Sequence, residues 1–377
     1  MLPRLTSDEL SGRVEAHFQA KNVLITGGFG FIGSHLAKTL LAFGAKVTVL
    51  DNRIDPSIDS LLNDQSLGLR AKIAVVQGDL ADRHVVRETL AKGNFHFVFN
   101  FAAYATVIEK ALENPYDTFR ANTFGLVNVL EAARLQRPLR PLVFHASTDK
   151  VYGEMEGVAY DEEKTPLRGI GVYDAAKLAA DLFARTYHEV YGLPTVVLRM
   201  CNIFGPYDFN TDYRLIPRAL RNLYAEPRPR SPELYLEAVE HWREYLYIDD
   251  CIRAILLVAF HRHCQGGVFN LAATAAMSTP DVLKTVIRLA CAIEQSFDEA
   301  RAKAILACGI AIRVRSDSLS LLAIKRQRLD GSKLRRFTEF EPAIGFAEGL
   351  ERTVRAYRAY YLSGSRASAT LPVSTHA

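Results

Sequence analysis

Val23-Leu24-Ile25-Thr26-Gly27-Gly28-Phe29-Gly30-Phe31-Ile32-Gly33-Ser34-His35-Leu36 decides how this chain folds. An apolar strand-like run ends in a glycine-rich turn that opens directly into a helix-forming segment, the context in which helix N-terminal amides cradle a dinucleotide pyrophosphate. Gly27 and Gly30 permit the tight turn and a close backbone approach to the phosphates, while Gly33 lets the helix lie close to the sheet. Phe31 and Ile32 open that helix and belong to the same expected contact surface. A glycine triplet is also what an ordinary strand–helix turn contains, so the residues around it must decide.

The next apolar run, Val47-Thr48-Val49-Leu50, ends in Asp51-Asn52. An acidic side chain there can accept from both ribose hydroxyls and repels a 2′-phosphate, which favours NAD over NADP; Arg53, two residues on, softens that preference. Asp79-Leu80 follows the third run, where Asp79 can meet the adenine amino group or, equally well, cap a helix.

Short β-branched runs recur with helical segments between them: Asn22–Thr26, Lys46–Asp51, Lys72–Gly78, His96–Phe101, Leu142–Ser147 and Thr195–Met200. Parallel strands need crossover helices, so this rhythm predicts an α/β fold with a Rossmann-type doubly wound parallel sheet. The expected nucleotide-binding domain covers residues 20–200, with a return segment at about 248–275 where apolar Cys251–Phe260 precedes strand-like Gly267–Leu271. Pro- and Arg-rich stretches such as Glu226-Pro227-Arg228-Pro229-Arg230 interrupt regular sheet. They place a smaller, discontinuous substrate-binding lobe at 201–247 and 276–361, and the small polar residues 363–377 read as a loose tail.

A net charge of +4 over 377 residues, without a block of like charges, gives no footprint for nucleic acid or an anionic membrane. The five cysteines form no CxxC pair, so neither a metal site nor a disulfide framework is expected. No apolar run is long enough for a membrane span, and the first twenty residues lack the core of a signal peptide, which leads to the expectation of a cytoplasmic protein.

Tyr173-Asp174-Ala175-Ala176-Lys177 opens a helical run, and a spacing of four puts the phenol and the ammonium on one face. A nearby ammonium stabilises tyrosinate, so Tyr173 is expected to act as a general base with Lys177 pulling its pKa down. On a solvated helix such a pair usually does nothing. Here it gains weight from Ser147-Thr148-Asp149-Lys150-Val151-Tyr152-Gly153, at the C-terminal end of an apolar strand, where open α/β sheets bind ligands.

Together the glycine-rich turn, Asp51, Phe101-Ala102-Ala103, the Val-Tyr-Gly segment and Tyr-x-x-x-Lys resemble the extended short-chain dehydrogenase/reductases that modify nucleotide sugars, over roughly residues 20 to 360. The resemblance implies NAD as cofactor, with Ala102 and Ala103 beside it, and a nucleotide-activated hexose as substrate. It places Asn202 by the sugar diphosphate and makes Arg243 the diphosphate-binding arginine through a bidentate guanidinium–phosphate match; Tyr207-Asp208-Phe209-Asn210 through Arg214-Leu215-Ile216-Pro217 resembles the substrate segment of CDP-glucose 4,6-dehydratases, and Arg218, which follows it, is expected to bind substrate. The family resemblance also implies a homodimer formed by helices around Tyr116–Leu135 and Tyr173–Tyr191, whose apolar residues could equally be core.

Within that family Thr148-Asp149-Lys150 resembles the run of CDP-glucose 4,6-dehydratases, in which an acid protonates the departing C6 hydroxyl and a base takes the C5 proton. The implied catalytic set is Thr148, Asp149, Lys150, Tyr173 and Lys177. Two other readings stand beside it. One is a 4-epimerase, in which Asp149 and Lys150 only bind or orient substrate; the other is a non-catalytic NAD- and nucleotide-sugar-binding protein. Without a catalytic role, Asp149 and Lys150 would be a local ion pair at a strand end.

Overall fold

The computed structural model describes residues 7–105, 108–154, 157, 159–314 and 324–362, so the expected tail at 363–377 lies outside the described residues. Its strands are β1 (Asn22–Thr26), β2 (Lys46–Asp51), β3 (Ala74–Gln77), β4 (Phe97–Asn100), β5 (Leu142–Thr148), β6 (Thr195–Met200), β7 (Asn202–Phe204), β8 (Glu233–Tyr235), β9 (Trp242–Tyr247), β10 (Val268–Leu271), β11 (Ala276–Ser278) and β12 (Ala311–Arg313). Seven of them form one sheet in the order β10-β6-β5-β4-β1-β2-β3, with every neighbouring pair parallel.

Side chains alternate between the two faces of each strand, and helices bury both. Leu24, Leu50, Val98, Val143 and Val197 face one core, under the helices Arg83–Gly93, Gly125–Arg134 and Val172–Tyr191. Val23, Ile25, Val49, Phe99, Phe144 and Leu198 face the other, with the helices Phe31–Ala42 and Ile248–Phe260. Two-sided burial is why these strands read as continuous apolar runs. The sheet is the expected doubly wound one, and the apolar segment at 251–260 proves to be a helix that delivers the chain to β10.

From β1 the chain winds outward through β2 and β3, then crosses back to β4 on the other side of β1. The C-terminal ends of β1 and β4 therefore diverge at a topological switch point and open a crevice. Beyond β6 the chain adds a three-stranded sheet β11-β9-β7 and the parallel pair β12-β8, of which β7, β8 and β9 contribute residues to the crevice wall. Among the described residues no helix is long and apolar enough to cross a membrane, and no cluster of potential metal ligands occurs. The cysteines are free, with Cys201, Cys251, Cys264 and Cys291 buried.

Candidate active site

A cleft of ≈ 1070 Å³ opens at the switch point. It is lined by every residue singled out above: Gly27, Gly30, Phe31, Ile32, Gly33, Asp51, Asn52, Asp79, Leu80, Ala102 and Ala103 on one side, then Thr148, Asp149, Lys150, Tyr173 and Lys177, and Asn202, Arg218 and Arg243 opposite.

The glycine-rich turn fits a pyrophosphate for reasons visible in its backbone. Gly27 has φ +69°, and a Cβ there would lie 2.7 Å from the Ala102 amide nitrogen, so only glycine lets β1 and β4 approach this closely. Gly30 caps the helix Phe31–Ala42 without any side-chain bond to its first amides, which leaves those donors to a ligand. Gly33 differs from the expectation: a Cβ there would meet the Gly27 carbonyl at 2.5 Å, so it seats the helix on the turn itself rather than on the sheet. At the end of β2, Asp51 accepts from the backbone amides of Phe29 and Arg53, each at 3.0 Å, and burial pushes its pKa up. Asp79 is not a helix cap, since Asp82 caps Arg83–Gly93. Instead Asp79 accepts from the Ala81 amide and pairs with Arg120 at 3.0 Å.

The helix Val172–Tyr191 begins at Gly171, whose backbone bonds to the Asp174 carboxylate three positions on, in the manner of a capping box. That start aims Tyr173 and Lys177 into the cleft, where both are buried. The Lys177 ammonium donates to the Ala146 carbonyl at 2.8 Å, and burial lowers its pKa to about 8. Lys177 does not pull Tyr173 below its ordinary value as expected. Burial and the neighbouring Asp174 and Asp149 carboxylates push the phenol up, against Arg214 and a hydrogen bond with Thr148, which act downward. A dry site penalises the tyrosinate more than the fixed cations compensate.

Asp149 and Lys150 are not joined as the local ion pair considered above. The Thr148 hydroxyl donates to Asp149 at 3.1 Å, whereas the Lys150 ammonium sits 5.5 Å from the centre of the Tyr173 ring. Burial raises the Asp149 carboxyl to about 6, offset in part by Lys150 and Arg243. The strand end thus presents a carboxyl that keeps its proton to higher pH than an ordinary aspartate, beside a lysine and a phenol.

Across the cleft, Asn202 donates to the Glu244 carbonyl at 3.2 Å, and Arg218 donates to the Glu233 carbonyl at 3.1 Å while lying over the Tyr235 ring. Arg243 is bonded to the carbonyls of Trp242, Lys325 and Ile324.

Sequence reading gave three parts no individual role, although Arg214 lies in the expected substrate segment and Val-Tyr-Gly among the motifs quoted above. Arg120–Phe124 is a π-helical turn; from it Asn122 accepts from the Tyr104 amide at 2.8 Å and donates to the Ala105 carbonyl, while Thr123 bonds to Ala176 in the tyrosine helix. Such turns cluster at functional sites, and the polar pair Asn122-Thr123 inside an apolar helix was the available signal. Arg214 lines the cleft with Tyr173 and pairs with Asp208 at 2.7 Å. The Val-Tyr-Gly segment is a buried bolt, in which Tyr152 donates to Asn270 and accepts from Arg199, itself held by Asp181 at 2.8 Å.

Comparison with known proteins fits this geometry. The family model described as GDP-mannose 4,6 dehydratase matches residues 24–353. A dTDP-glucose 4,6-dehydratase of Streptomyces niveus is 30% identical over 89% of this chain and 92% of its own length, and UDP-glucuronate 4-epimerase 3 of Arabidopsis thaliana is 27% identical over 92% and 79%. Among solved structures, the dTDP-glucose 4,6-dehydratase of Streptomyces venezuelae with NAD bound superimposes with a TM-score of 0.73 at 28% identity, covering 89% of this chain and 96% of that one. The UDP-glucose 4-epimerase of Thermus thermophilus in complex with NAD gives 0.74 at 28% identity, over 89% and 98%. The chain belongs to the GDP-mannose 4,6-dehydratase family, the sugar-nucleotide dehydratases and epimerases of the extended short-chain dehydrogenase/reductase class.

Proposed function

We propose that this protein is an NAD-dependent nucleotide-hexose 4,6-dehydratase, with CDP-glucose as the substrate that Thr148-Asp149-Lys150 favours. One observation carries the choice of reaction: Asp149, buried at the strand end against the Thr148 hydroxyl and raised by burial to about 6, is a carboxyl placed to deliver a proton, which 4-epimerisation does not require. The free amides of the turn after β1 hold the cofactor pyrophosphate, and Asp51 takes the ribose hydroxyls. Bound there, NAD would supply the reversible hydride exchange that a transient C4 oxidation requires.

The chain's own residues move the protons. Tyr173, assisted by Thr148 and Lys177, removes the C4 hydroxyl proton. The resulting 4-ketone acidifies C5–H, whose proton passes to Lys150 in its neutral amine form, and Asp149 in its protonated form gives its proton to the C6 hydroxyl so that water leaves. Asn202, Arg218 and Arg243 bind the nucleotide diphosphate side of the substrate. Two such chains form a homodimer through the segment 115–134 and the helix Val172–Tyr191, where Tyr116, Phe124, Leu182 and Val190 are exposed.

Incubation with CDP-, dTDP-, UDP- and GDP-glucose, followed by mass analysis, tests the reading. Loss of water from one of them is the expected result. An isomer of unchanged mass would replace it with 4-epimerisation, and NAD retention with no conversion of any sugar would favour a binding role.

A further inference from the structure

Tyr207 adopts φ +65° in the turn after β7. Among the described residues, three other non-glycine positions share such a backbone: Asn94 and Glu339 end helices, and Ala20 lies just past one. Tyr207 follows no helix, and a bulky residue in this region costs about 1–3 kcal/mol and persists only where its surroundings enforce it.

Those surroundings are specific. The Tyr207 hydroxyl donates to Asp64 at 2.7 Å, on the loop that starts at the ribose-facing Asp51. The preceding Pro206 carbonyl is bonded to His35 at 3.0 Å, inside the helix that follows the glycine-rich turn. The turn after β7 is therefore bolted twice to the cofactor half of the cleft. The next residue, Asp208, is buried and binds Arg214 at 2.7 Å, and its backbone carbonyl is held by the Tyr357 hydroxyl. Arg214 stacks 6.0 Å over Phe31 and lines the same cleft as Tyr173, where its charge acts on the phenol.

We propose that Tyr207, with Asp64 as its acceptor, is a positioning residue that clamps the substrate-side turn to the ribose loop and so holds the Asp208–Arg214 pair against Tyr173. It touches neither the reacting atoms nor the phenol; it acts through Arg214. The groups around Tyr173 are Asp174 and Lys177 on its own helix, Thr148, Asp149 and Lys150 from the end of β5, and Arg214. Of the cations, Arg214 alone comes from the substrate side, so its placement depends on this turn. The strained backbone gives the turn a single geometry, and both halves of the cleft must be in place to hold it.

The proposal rests on the dehydratase reading only for its kinetic test. Tyrosinate is the active base and burial holds the phenol above its ordinary value, so kcat rises with pH throughout the range below that titration. Removing a cation that favours tyrosinate moves that rise to higher pH. Arg214→Met and Tyr207→Phe are both expected to shift it upward and to lower kcat at neutral pH by about tenfold. Arg214→Lys should restore most of the position. The double variant should be no worse than Arg214→Met, because both changes break one chain.

A second readout needs no turnover. Tyr207→Phe and Asp64→Asn should weaken NAD binding several-fold, by calorimetry, while UDP, dTDP or CDP binding stays within about twofold. A wild-type pH profile in Tyr207→Phe, fully additive losses in the double variant, or unchanged NAD affinity in both single variants would overturn the proposal. If no sugar nucleotide is converted, the functional reading fails while the NAD titration still decides this one.

Discussion

Asp149 pays for its role in stability. Its folded pKa of about 6 lies above its ordinary value of 3.8, so the folded state favours the protonated acid. The stabilisation this gives is complete below the unfolded pKa and is lost as pH rises through about 6, leaving a buried charge at alkaline pH. Asp149→Asn should therefore abolish loss of water yet stabilise the fold at pH 8, by an amount on the order of 1–3 kcal/mol, and change little at pH 4. Thermal unfolding at the two pH values checks it; equal effects at both would show that burial does not govern this carboxyl. The same residue shows what sequence could and could not say. Its adjacency to Thr148 was legible from spacing, but whether it would pair with Lys150 depended on how the strand end turned, and Lys150 turned to Tyr173 instead.

At the scale of elements, the inner strands of the seven-stranded sheet were legible because two-sided burial makes each one a plain apolar run, whereas β8, β9, β11 and β12 are short or half-exposed and carry no such run. β1, β2 and β6 have the expected bounds, whereas β3 is shorter than Lys72–Gly78 because Arg70–Lys72 forms a 3₁₀ turn. The π-helical turn at Arg120–Phe124 and the left-handed Tyr207 leave no period in the sequence; tertiary bonds impose them. Gly27→Ala should eliminate NAD binding in a calorimetric titration, since the added Cβ collides with the Ala102 backbone at a positive φ. The pair Arg199–Asp181, almost wholly buried beneath the Val-Tyr-Gly segment, was invisible because Asp181 is separated from Arg199 by most of a helix and a strand. Arg199→Ala leaves Asp181 uncompensated and should cost about 3–5 kcal/mol in urea unfolding. A loss below about 1 kcal/mol would mean that water replaces the guanidinium.

For the whole molecule, the fold brings together residues from widely separated stretches because the chain reverses direction of winding at β1 and β4, and the cleft opens where it does so. Motifs at the strand ends could be collected from sequence on that rule, while the pairing of Arg214 with Asp208 and the support that Asn122 gives the Tyr104 backbone from a helix bulge could not, since both depend on the folded turn and bulge. The proposed dimer is tested by charging its exposed apolar surface: Leu182→Glu with Val190→Glu should give monomers by light scattering, and an unchanged mass would place the interface elsewhere. The central claim is that one cofactor oxidises C4 and reduces C6 of the same sugar, with Asp149 and Lys150 removing water in between. A nucleotide glucose deuterated at C4, converted without external reductant and read by NMR, tests this most directly. Deuterium at C6 of a 4-keto-6-deoxy product is the predicted result, and deuterium still at C4 of an isomer of unchanged composition would contradict it.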